Sequence, residues 1–166
     1  MVARVNYPAN FAVVDGVVCR GARPTTVAET MTLEKDFGVR TVLNLEWEAS
    51  DDDAWVGGAV RLVRVRDFEP LPFFAPSSAD GHIIHALAEI RRGSARVYVH
   101  CRSGRTGVII AAYRIVALGQ DIESVLTDFS SYRGWWAWAD ERYIRSLPPR
   151  REELRRRITS LKIALS

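Results

Sequence analysis

The sequence predicts an α/β fold, with a three-layer domain built on a central, largely parallel sheet of four or five strands flanked by helices. Short β-branched runs alternate with segments of helical periodicity, which is the order typical of parallel sheets. Residues 41–45 and 96–101 are compact apolar runs typical of buried strands. After the second run the remaining apolar spacing is helical, so helices follow one another to the end of the sequence.

Length and composition favour one globular domain over residues 1–166. The chain is 48% hydrophobic and 26% charged, enough apolar material for a core that folds alone. Its longest uncharged apolar stretch, residues 108–113, is far below the roughly 20 residues of a membrane span, and the N-terminus lacks the apolar core of a signal peptide. We therefore expect a cytoplasmic protein. Its two cysteines, Cys19 and Cys101, are expected to be reduced.

Charge is unevenly distributed although the formal net charge is only +3. Residues 46–53 form an acidic block, and residues 146–166 form a basic amphipathic C-terminal helix. We interpret the basic face as solvated. Contact with nucleic acid or an acidic membrane through this helix is the less favoured alternative.

The first elements are predicted to be a hairpin and a helix. Residues 11–14 and 17–20 flank Asp15-Gly16, the strongest short hairpin signal. Residues 21–26 should break the second strand, and Thr25 or Thr26 can cap a helix that runs to about Phe37.

Two further strands and a loop are expected before residue 75. The run at 41–45 follows the helix-ending Gly38, and residues 60–66 alternate apolar and basic residues as a half-exposed strand does. Asp51 can start a short helix or loop between these strands. Prolines in residues 67–72 exclude a helix or a central strand and predict a loop at the carboxyl end of a strand, where α/β sheets carry chemistry.

The later segments are predicted to be helical. Asp80-Gly81 starts a helix through Ile90, in which His82 and His85 are interpreted as polar residues rather than metal ligands. Asp121 caps the helix that follows Gly119. An aromatic-rich helix is interpreted as a lid over the core and ends at Pro148-Pro149; its residues are Trp135, Trp136, Trp138, Tyr143 and Ile144. The last helix has an apolar stripe of Leu154, Ile158, Leu161 and Leu165.

The stretch around Cys101 has the properties of an anion site. The cysteine lies between a predicted buried strand and an Ala- and Ile-rich helix, whose first N–H groups and dipole face the connecting loop. Gly104 and Gly107 permit close backbone approach, and Arg102 and Arg105 add positive charge. A cysteine in this setting should ionise more readily than a free thiol, so we predict a thiolate nucleophile that faces an oxyanion.

These residues resemble the signature loop of the cysteine-dependent tyrosine and dual-specificity phosphatases, in which His-Cys is followed by five residues, Arg, Ser or Thr, and Gly. The counterparts here are His100, Cys101, Gly104, Thr106 and Gly107. Only three residues separate Cys101 from Arg105, so the loop is two residues short, and an alignment without a gap puts Gly107 in the arginine position. The loop also resembles the shorter one of rhodanese-like sulfurtransferases, and by itself does not decide between the two families.

Two other segments resemble the phosphatases. Residues 10–25 are similar to the opening of the small bacterial and fungal-type members, which rhodaneses lack. Asp67 and Pro70 resemble the Asp-x-x-Pro general-acid loop, with Asp67 in the place of the acid and Glu69 as the alternative. The resemblance puts Asn44 near the signature loop, while a solvent-facing position at the strand end is equally compatible with the sequence.

The resemblance implies a tyrosine-phosphatase-like fold and a metal-free, cofactor-free phosphatase. It implies Cys101 as nucleophile, Arg105 as phosphate ligand and Asp67 as general acid, with His100 and Asn44 in support. Substrate binding would involve Arg102, Ser103, Gly104, Thr106 and Gly107. The substrate would be a phosphorylated protein or a small phosphate ester. A Cys101-persulfide sulfurtransferase, a phosphate-binding pseudophosphatase and a basic interaction module remain alternatives.

Overall fold

A computed structural model describes residues 6–46, 55, 58–65, 76–101, 104–130 and 137–165. The chain divides into two compact units, residues 1–66 with 93–102 and residues 67–92 with 103–166. In the part described, the first unit holds the sheet and one helix, and the second holds the other helices.

The sheet of the first unit has five strands in the order β1-β2-β5-β3-β4. Its strands are β1 (Ala12–Val13), β2 (Val18–Ala22), β3 (Val39–Asn44), β4 (Arg61–Arg64) and β5 (Arg96–Cys101). The β1–β2 pair is antiparallel, and the other three pairs are parallel. The predicted largely parallel sheet is therefore confirmed, and its central strand is the one that ends at Cys101.

The opening hairpin forms where the sequence predicts it, but its second strand is longer. The Asp15 carboxylate accepts hydrogen bonds from the N–H groups of Val17 and Val18, at 2.7 Å each, and closes the turn. The predicted break at residue 21 is wrong, because β2 continues beside β5 through Ala22. Glycine suits this position since the Tyr98 hydroxyl lies where a Cβ of Gly21 would be, and it donates to the Ala22 carbonyl at 2.6 Å.

Helix α1 (Val27–Lys35) is held at its start by a capping box, which confirms the predicted cap. Thr26 accepts a hydrogen bond from the Glu29 N–H at 3.2 Å, and the Glu29 carboxylate accepts from the Thr26 N–H at 3.1 Å. The buried Leu33 packs into one cluster with residues of the sheet, including Val42 and Tyr98. Burial of this apolar face fixes α1 against the strands of its own unit.

The second unit is helical. It contains α2 (Pro76–Arg92), α3 (Arg105–Ala112), a π-helical turn (Tyr113–Ala117), α4 (Ile122–Ser130), α5 (Ala137–Arg145), a 3-10 turn (Pro148–Arg150) and α6 (Arg151–Leu165). The predicted start of α2 at Asp80-Gly81 is wrong, since the helix begins at Pro76. Proline is favoured in a first helical turn because the N–H it lacks would have no partner there. The predicted Asp121 cap is confirmed by its hydrogen bond from the Ser124 N–H at 3.0 Å.

A buried carboxylate connects α2 with the last elements of this unit. Asp80 is 3% exposed and accepts hydrogen bonds from the Tyr143 hydroxyl at 2.9 Å and from the Arg150 and Arg157 guanidinium groups. Burial, and secondarily the Asp80 charge, raises the pKa of Tyr143 above its ordinary value, so this hydroxyl stays a donor. Arg157 thus has a function inside the unit.

The C-terminal basic helix is less solvated than predicted. Besides Arg157, Arg155 donates to the carbonyls of Val116 and Ala117 at 2.7 and 2.8 Å. These carbonyls lie in the last turn of the π-helical segment, where intrahelical donors are lacking. Part of the positive charge in α6 therefore caps a neighbouring helix rather than facing solvent.

Burial confirms one predicted apolar stripe and corrects another. Leu154 and Ile158 of α6 are 1% and 2% exposed, in accordance with the predicted stripe. In α5, Tyr143 is buried, but Trp138 is 57% exposed, so the interpretation of this helix as an aromatic lid is wrong for Trp138. Trp135 and Trp136 lie outside the described residues, as does Asp51. None of the helices searched is long and apolar enough to cross a bilayer.

Candidate functional site

The candidate nucleophile lies at the end of the central strand. Cys101 is the last residue of β5, is 8% exposed and is aligned with Ala22 of β2. A β-branched run places it there, because Val97 and Val99 are fully buried and fix the strand in the sheet. Arg102 and Ser103, which follow it, lie outside the described residues.

The second unit supplies the start of α3. Helix α3 begins at Arg105, with Gly104 as its N-cap, which confirms the predicted helix after the cysteine. Gly104 has a φ of +89°, a left-handed conformation that side chains with a Cβ rarely adopt. Thr106 is buried, and Arg105 and Gly107 are half-buried in the first turn. The unpaired N–H groups of a first helical turn and the positive end of the helix dipole both point out of the N-terminus of the helix.

One of the expected backbone donors is used within the helix. The N–H of Gly107 donates to the Gly104 carbonyl at 3.1 Å. The Gly107 N–H is therefore engaged within the first turn of α3.

Asn44 is part of the sheet interior beside the cysteine strand. It is 3% exposed and is aligned with His100 across the parallel β3–β5 pair. Its side-chain oxygen accepts a hydrogen bond from the Glu46 N–H at 2.7 Å. The solvent-facing interpretation of Asn44 is wrong, because the amide is needed to bind the backbone where β3 ends.

Glu46 is a residue of this region that the sequence analysis did not identify. Its carboxylate is 8% exposed, and Oε1 lies 3.7 Å from Nδ1 of His100, which is fully buried. The sequence shows Glu46 only as part of an acidic block. A usable signal was its position directly after a predicted buried strand, since the carboxyl ends of parallel strands meet at one edge of the sheet.

Cys19 differs from Cys101 in its surroundings. It is fully buried in β2, and its thiol donates to the Val97 carbonyl at 3.7 Å. Burial raises the pKa of Cys19 to about 12, with a smaller opposite effect of Arg96. The two cysteines form no disulfide. Cys19 is thus a core residue, in accordance with its sequence-based interpretation.

The predicted acid lies outside the part that can be described. Asp67 and Glu69 belong to residues 66–75, which are not among the described residues. The described site residues are Asn44, Glu46, His100 and Cys101 in the first unit and Gly104, Arg105, Thr106 and Gly107 in the second.

The fold and the cysteine position together define a class of protein. A cysteine at the carboxyl end of a central parallel strand, followed in the chain by a helix that begins with an arginine, is an arrangement suited to a cysteine nucleophile that acts on an anionic group. No family model matches the chain. The dual specificity protein phosphatase TpbA of Pseudomonas aeruginosa is 32% identical over 114 residues, which cover 66% of this chain and 48% of TpbA. The chain therefore spans about half the length of the curated relatives it matches.

Solved structures agree in fold. The Siw14 catalytic core superposes with a TM-score of 0.75 at 18% identity, covering 95% of this chain and 94% of the other. P. aeruginosa TpbA superposes with a TM-score of 0.65 at 21% identity, covering 99% and 98%. These superpositions confirm the predicted tyrosine-phosphatase-like α/β fold. The resemblance to cysteine-dependent phosphatases is confirmed by the 32% identical TpbA.

Proposed function

We propose that the protein is a phosphatase of the tyrosine and dual-specificity type, which hydrolyses phosphate monoesters through a cysteinyl-phosphate intermediate. The observation that carries the proposal is Cys101 at the end of the central parallel strand, followed in the chain by a Gly104-capped helix that begins with Arg105. Support comes from the 32% identical dual specificity phosphatase. A variant of TpbA has been solved in complex with phosphotyrosine, and Siw14 of S. cerevisiae is a PP-IP phosphatase.

The first step is a transfer to sulfur. The Cys101 thiolate attacks phosphorus, a sulfur–phosphorus bond forms, and the bond from phosphorus to the leaving oxygen breaks. Asp67 donates the proton that this oxygen needs. The guanidinium of Arg105 and the first N–H groups of α3 hold the other phosphate oxygens, where charge-assisted hydrogen bonds are strongest.

The second step regenerates the enzyme. Asp67, now a carboxylate, takes a proton from water, which attacks phosphorus and breaks the sulfur–phosphorus bond. Inorganic phosphate leaves, and the thiolate returns. No metal or cofactor takes part in this scheme, because the positive charge comes from Arg102, Arg105 and the helix dipole.

The short loop is expected to weaken this chemistry. In the phosphatases, the five residues between cysteine and arginine supply more backbone N–H groups to the phosphate than the three residues between Cys101 and Arg105 can. In addition, the N–H of Gly107 already donates to the Gly104 carbonyl. We propose that Arg102, Ser103, Gly104, Thr106 and Gly107 still shape the site. Phosphate binding should be weaker and turnover slower than with a full-length loop.

The substrate is proposed to be a phosphorylated protein or a small phosphate ester. The basic C-terminal helix gives little support to a nucleic acid or membrane partner, since Arg155 and Arg157 form hydrogen bonds within the second unit. A cytoplasmic location stays a prediction.

Hydrolysis of para-nitrophenyl phosphate in the presence of EDTA tests the proposal. The native protein should release nitrophenol at an unchanged rate with the chelator, and Cys101→Ser should abolish it. Cys19→Ala is the control, since it removes a thiol outside the proposed site. Full activity of Cys101→Ser, or loss of native activity with EDTA, would contradict the thiol mechanism.

Two further measurements separate the alternatives. Asp67→Asn should lower turnover by roughly 10²–10⁴-fold for poor leaving groups and much less for good ones. An equal loss for both would move the acid role away from Asp67. Incubation of the native protein with thiosulfate and cyanide should yield little thiocyanate. Rapid formation of thiocyanate, with phosphate esters left intact, would favour the sulfurtransferase. Binding of phosphate without hydrolysis of phosphate esters would favour the pseudophosphatase.

A further inference from the structure

A buried carboxylate meets the imidazole of the residue that precedes Cys101. Glu46 lies just beyond β3, and its Oε1 is 3.7 Å from Nδ1 of His100. The two side chains are 8% and 0% exposed, so the pair lies inside the first unit. A carboxylate is costly to bury unless a positive charge or hydrogen-bond donors compensate it. An acidic residue at this place in the sheet therefore calls for a functional explanation.

The backbone fixes the distance between the two side chains. The Leu45 N–H donates to the His100 carbonyl at 3.0 Å, which anchors the end of β3 to β5. The Glu46 N–H donates to the Asn44 side chain at 2.7 Å, and Asn44 is itself aligned with His100. Strand register thus places the backbones of Glu46 and His100 next to each other.

The contact between the Glu46 carboxylate and the His100 imidazole affects the protonation of His100. A nearby carboxylate stabilises the protonated imidazole. Among the described residues of the first unit, the titratable side chains next to the imidazole include Glu46, the next residue Cys101, and Tyr98, whose ring centroid is 5.9 Å away. The Tyr98 hydroxyl is bound to the Ala22 carbonyl. Glu46 is the carboxylic acid of this set and lies 3.7 Å from Nδ1 of His100.

The imidazole in turn adjoins the nucleophile in the chain. Side chains of consecutive strand residues point to opposite faces, so His100 lies behind the strand from which the Cys101 thiol projects. A positive charge one residue away favours the thiolate over the thiol. The Glu46 carboxylate contacts His100, and so it lies on the face of β5 away from the thiol.

We propose that Glu46 is a positioning residue, which holds the His100 imidazole in its protonated form and through it favours the Cys101 thiolate. The role rests on the proposed function, since only a cysteine nucleophile gains from it. Two effects of Glu46 on the thiolate oppose each other. Support of the imidazolium favours the thiolate, and direct repulsion between two negative charges disfavours it. The sign of the change on removing the charge distinguishes them.

The rate of Cys101 alkylation by iodoacetamide, measured against pH, gives that sign. Glu46→Gln should move the midpoint of the alkylation profile up by about one pH unit, so that alkylation well below the midpoint slows about tenfold. Glu46→Asp keeps the charge with a shorter reach and should give a shift between those of the native protein and Glu46→Gln. Asp36→Asn removes an exposed carboxylate of the same unit and is the matched control, with an unchanged profile.

A second comparison tests the route through the imidazole. In a His100→Gln background, Glu46→Gln should no longer move the midpoint up, because the group it acts through is gone; the direct repulsion that remains can only move it down. A shift of the same size in that background would overturn the proposal. So would a midpoint that does not move, or moves down, in the single variant. If Glu46→Gln does not fold, Glu46→Asp with and without His100→Gln decides in the same way.

Parallel assays keep this inference separate from the proposed function. Alkylation reports the thiolate whether or not the protein hydrolyses phosphate. Suppose that Glu46→Gln moves the alkylation midpoint up and that the native protein has no phosphatase activity. This result would support the role of Glu46 in ionising Cys101 and contradict the proposed function. Hydrolysis of para-nitrophenyl phosphate with an unmoved alkylation midpoint would contradict the inference alone.

Discussion

Cys19 and Cys101 show how one residue type takes two functions from its surroundings. Both are buried in neighbouring strands of the same sheet, but Cys19 lies within β2 and Cys101 is the last residue of β5. Desolvation raises the pKa of Cys19 to about 12, whereas Cys101 is followed in the sequence by Arg102 and Arg105. The position of each cysteine in its strand therefore separates a packing residue from a candidate nucleophile.

We expect this difference to appear in thiol labelling. Iodoacetamide at pH 7.5, used at one equivalent and followed by peptide mapping, should modify Cys101 and leave Cys19 intact, because the protonated, buried thiol of Cys19 does not react. Denaturation in urea should make the two cysteines equally reactive. Labelling of Cys19 in the folded protein at a rate comparable with that of Cys101 would contradict the assignment.

At the scale of elements, two glycines within helices have opposite reasons to be there. In α3, a Cβ at Gly107 would lie 3.0 Å from Cε2 of Phe129, so the glycine permits α4 to pack closely against α3. In α2, a Cβ at Gly81 would meet no atom within 4 Å. Helix propensity disfavours glycine at both positions, and only packing distinguishes them.

Alanine at these two positions should therefore change stability in opposite directions. Gly81→Ala should stabilise the protein by about 0.5–1 kcal/mol, because it restricts the unfolded chain without a new clash. Gly107→Ala restricts the unfolded chain in the same way, but its Cβ crowds the buried Phe129 ring. The overpacking costs roughly 1–3 kcal/mol, so this variant should be less stable than the native protein. Urea unfolding midpoints of the two variants and the native protein measure both changes. A stabilising Gly107→Ala would show that Phe129 moves aside without cost.

At the scale of the whole molecule, the stability should depend on pH through a half-buried acid. Burial raises the pKa of Asp140 in α5 from its ordinary value of 3.8 to about 6. The folded state then holds its proton more tightly than the unfolded state. The resulting stabilisation is fully present below pH 3.8 and is lost as the pH rises through about 6.

Asp140→Asn removes this dependence. The variant should be more stable than the native protein at pH 7.5 and should match it near pH 4, since the native carboxyl is then largely protonated in the folded state and an amide is of similar size. Thermal unfolding of the two proteins across this range measures the difference, with pH 4 as the internal reference. A gain in stability that is the same at both pH values would rule out ionisation of Asp140 as its cause.

Local sequence signals were sufficient for much of the fold. The Asp15-Gly16 turn, the Thr26 cap and the Asp121 cap form where residue type and spacing predicted them, because turns and caps depend on side chains one to three residues away. Errors occur where partners are distant. The extension of β2 depends on pairing with β5, in which each residue of β2 lies opposite the residue 79 positions further on. The start of α2 at Pro76 comes four residues before the predicted Asp80.

The sequence by itself determined the cysteine at a strand-to-helix junction, the arginine after it and the resemblance to phosphatases, because these reside in contiguous residues. The tertiary structure alone decided which of many acidic residues meets His100. The position of Glu46 after a predicted strand places it at the edge of the sheet, but its contact with His100 arises only when β3 and β5 align and bring its carboxylate to 3.7 Å from the imidazole. The same holds for Asp80, which the sequence presents as a helix start and the fold buries against Tyr143, Arg150 and Arg157. Electrostatic partners are chosen by distance in space, which a linear pattern does not contain, whereas turns, caps and loop motifs are chosen by neighbours in the chain.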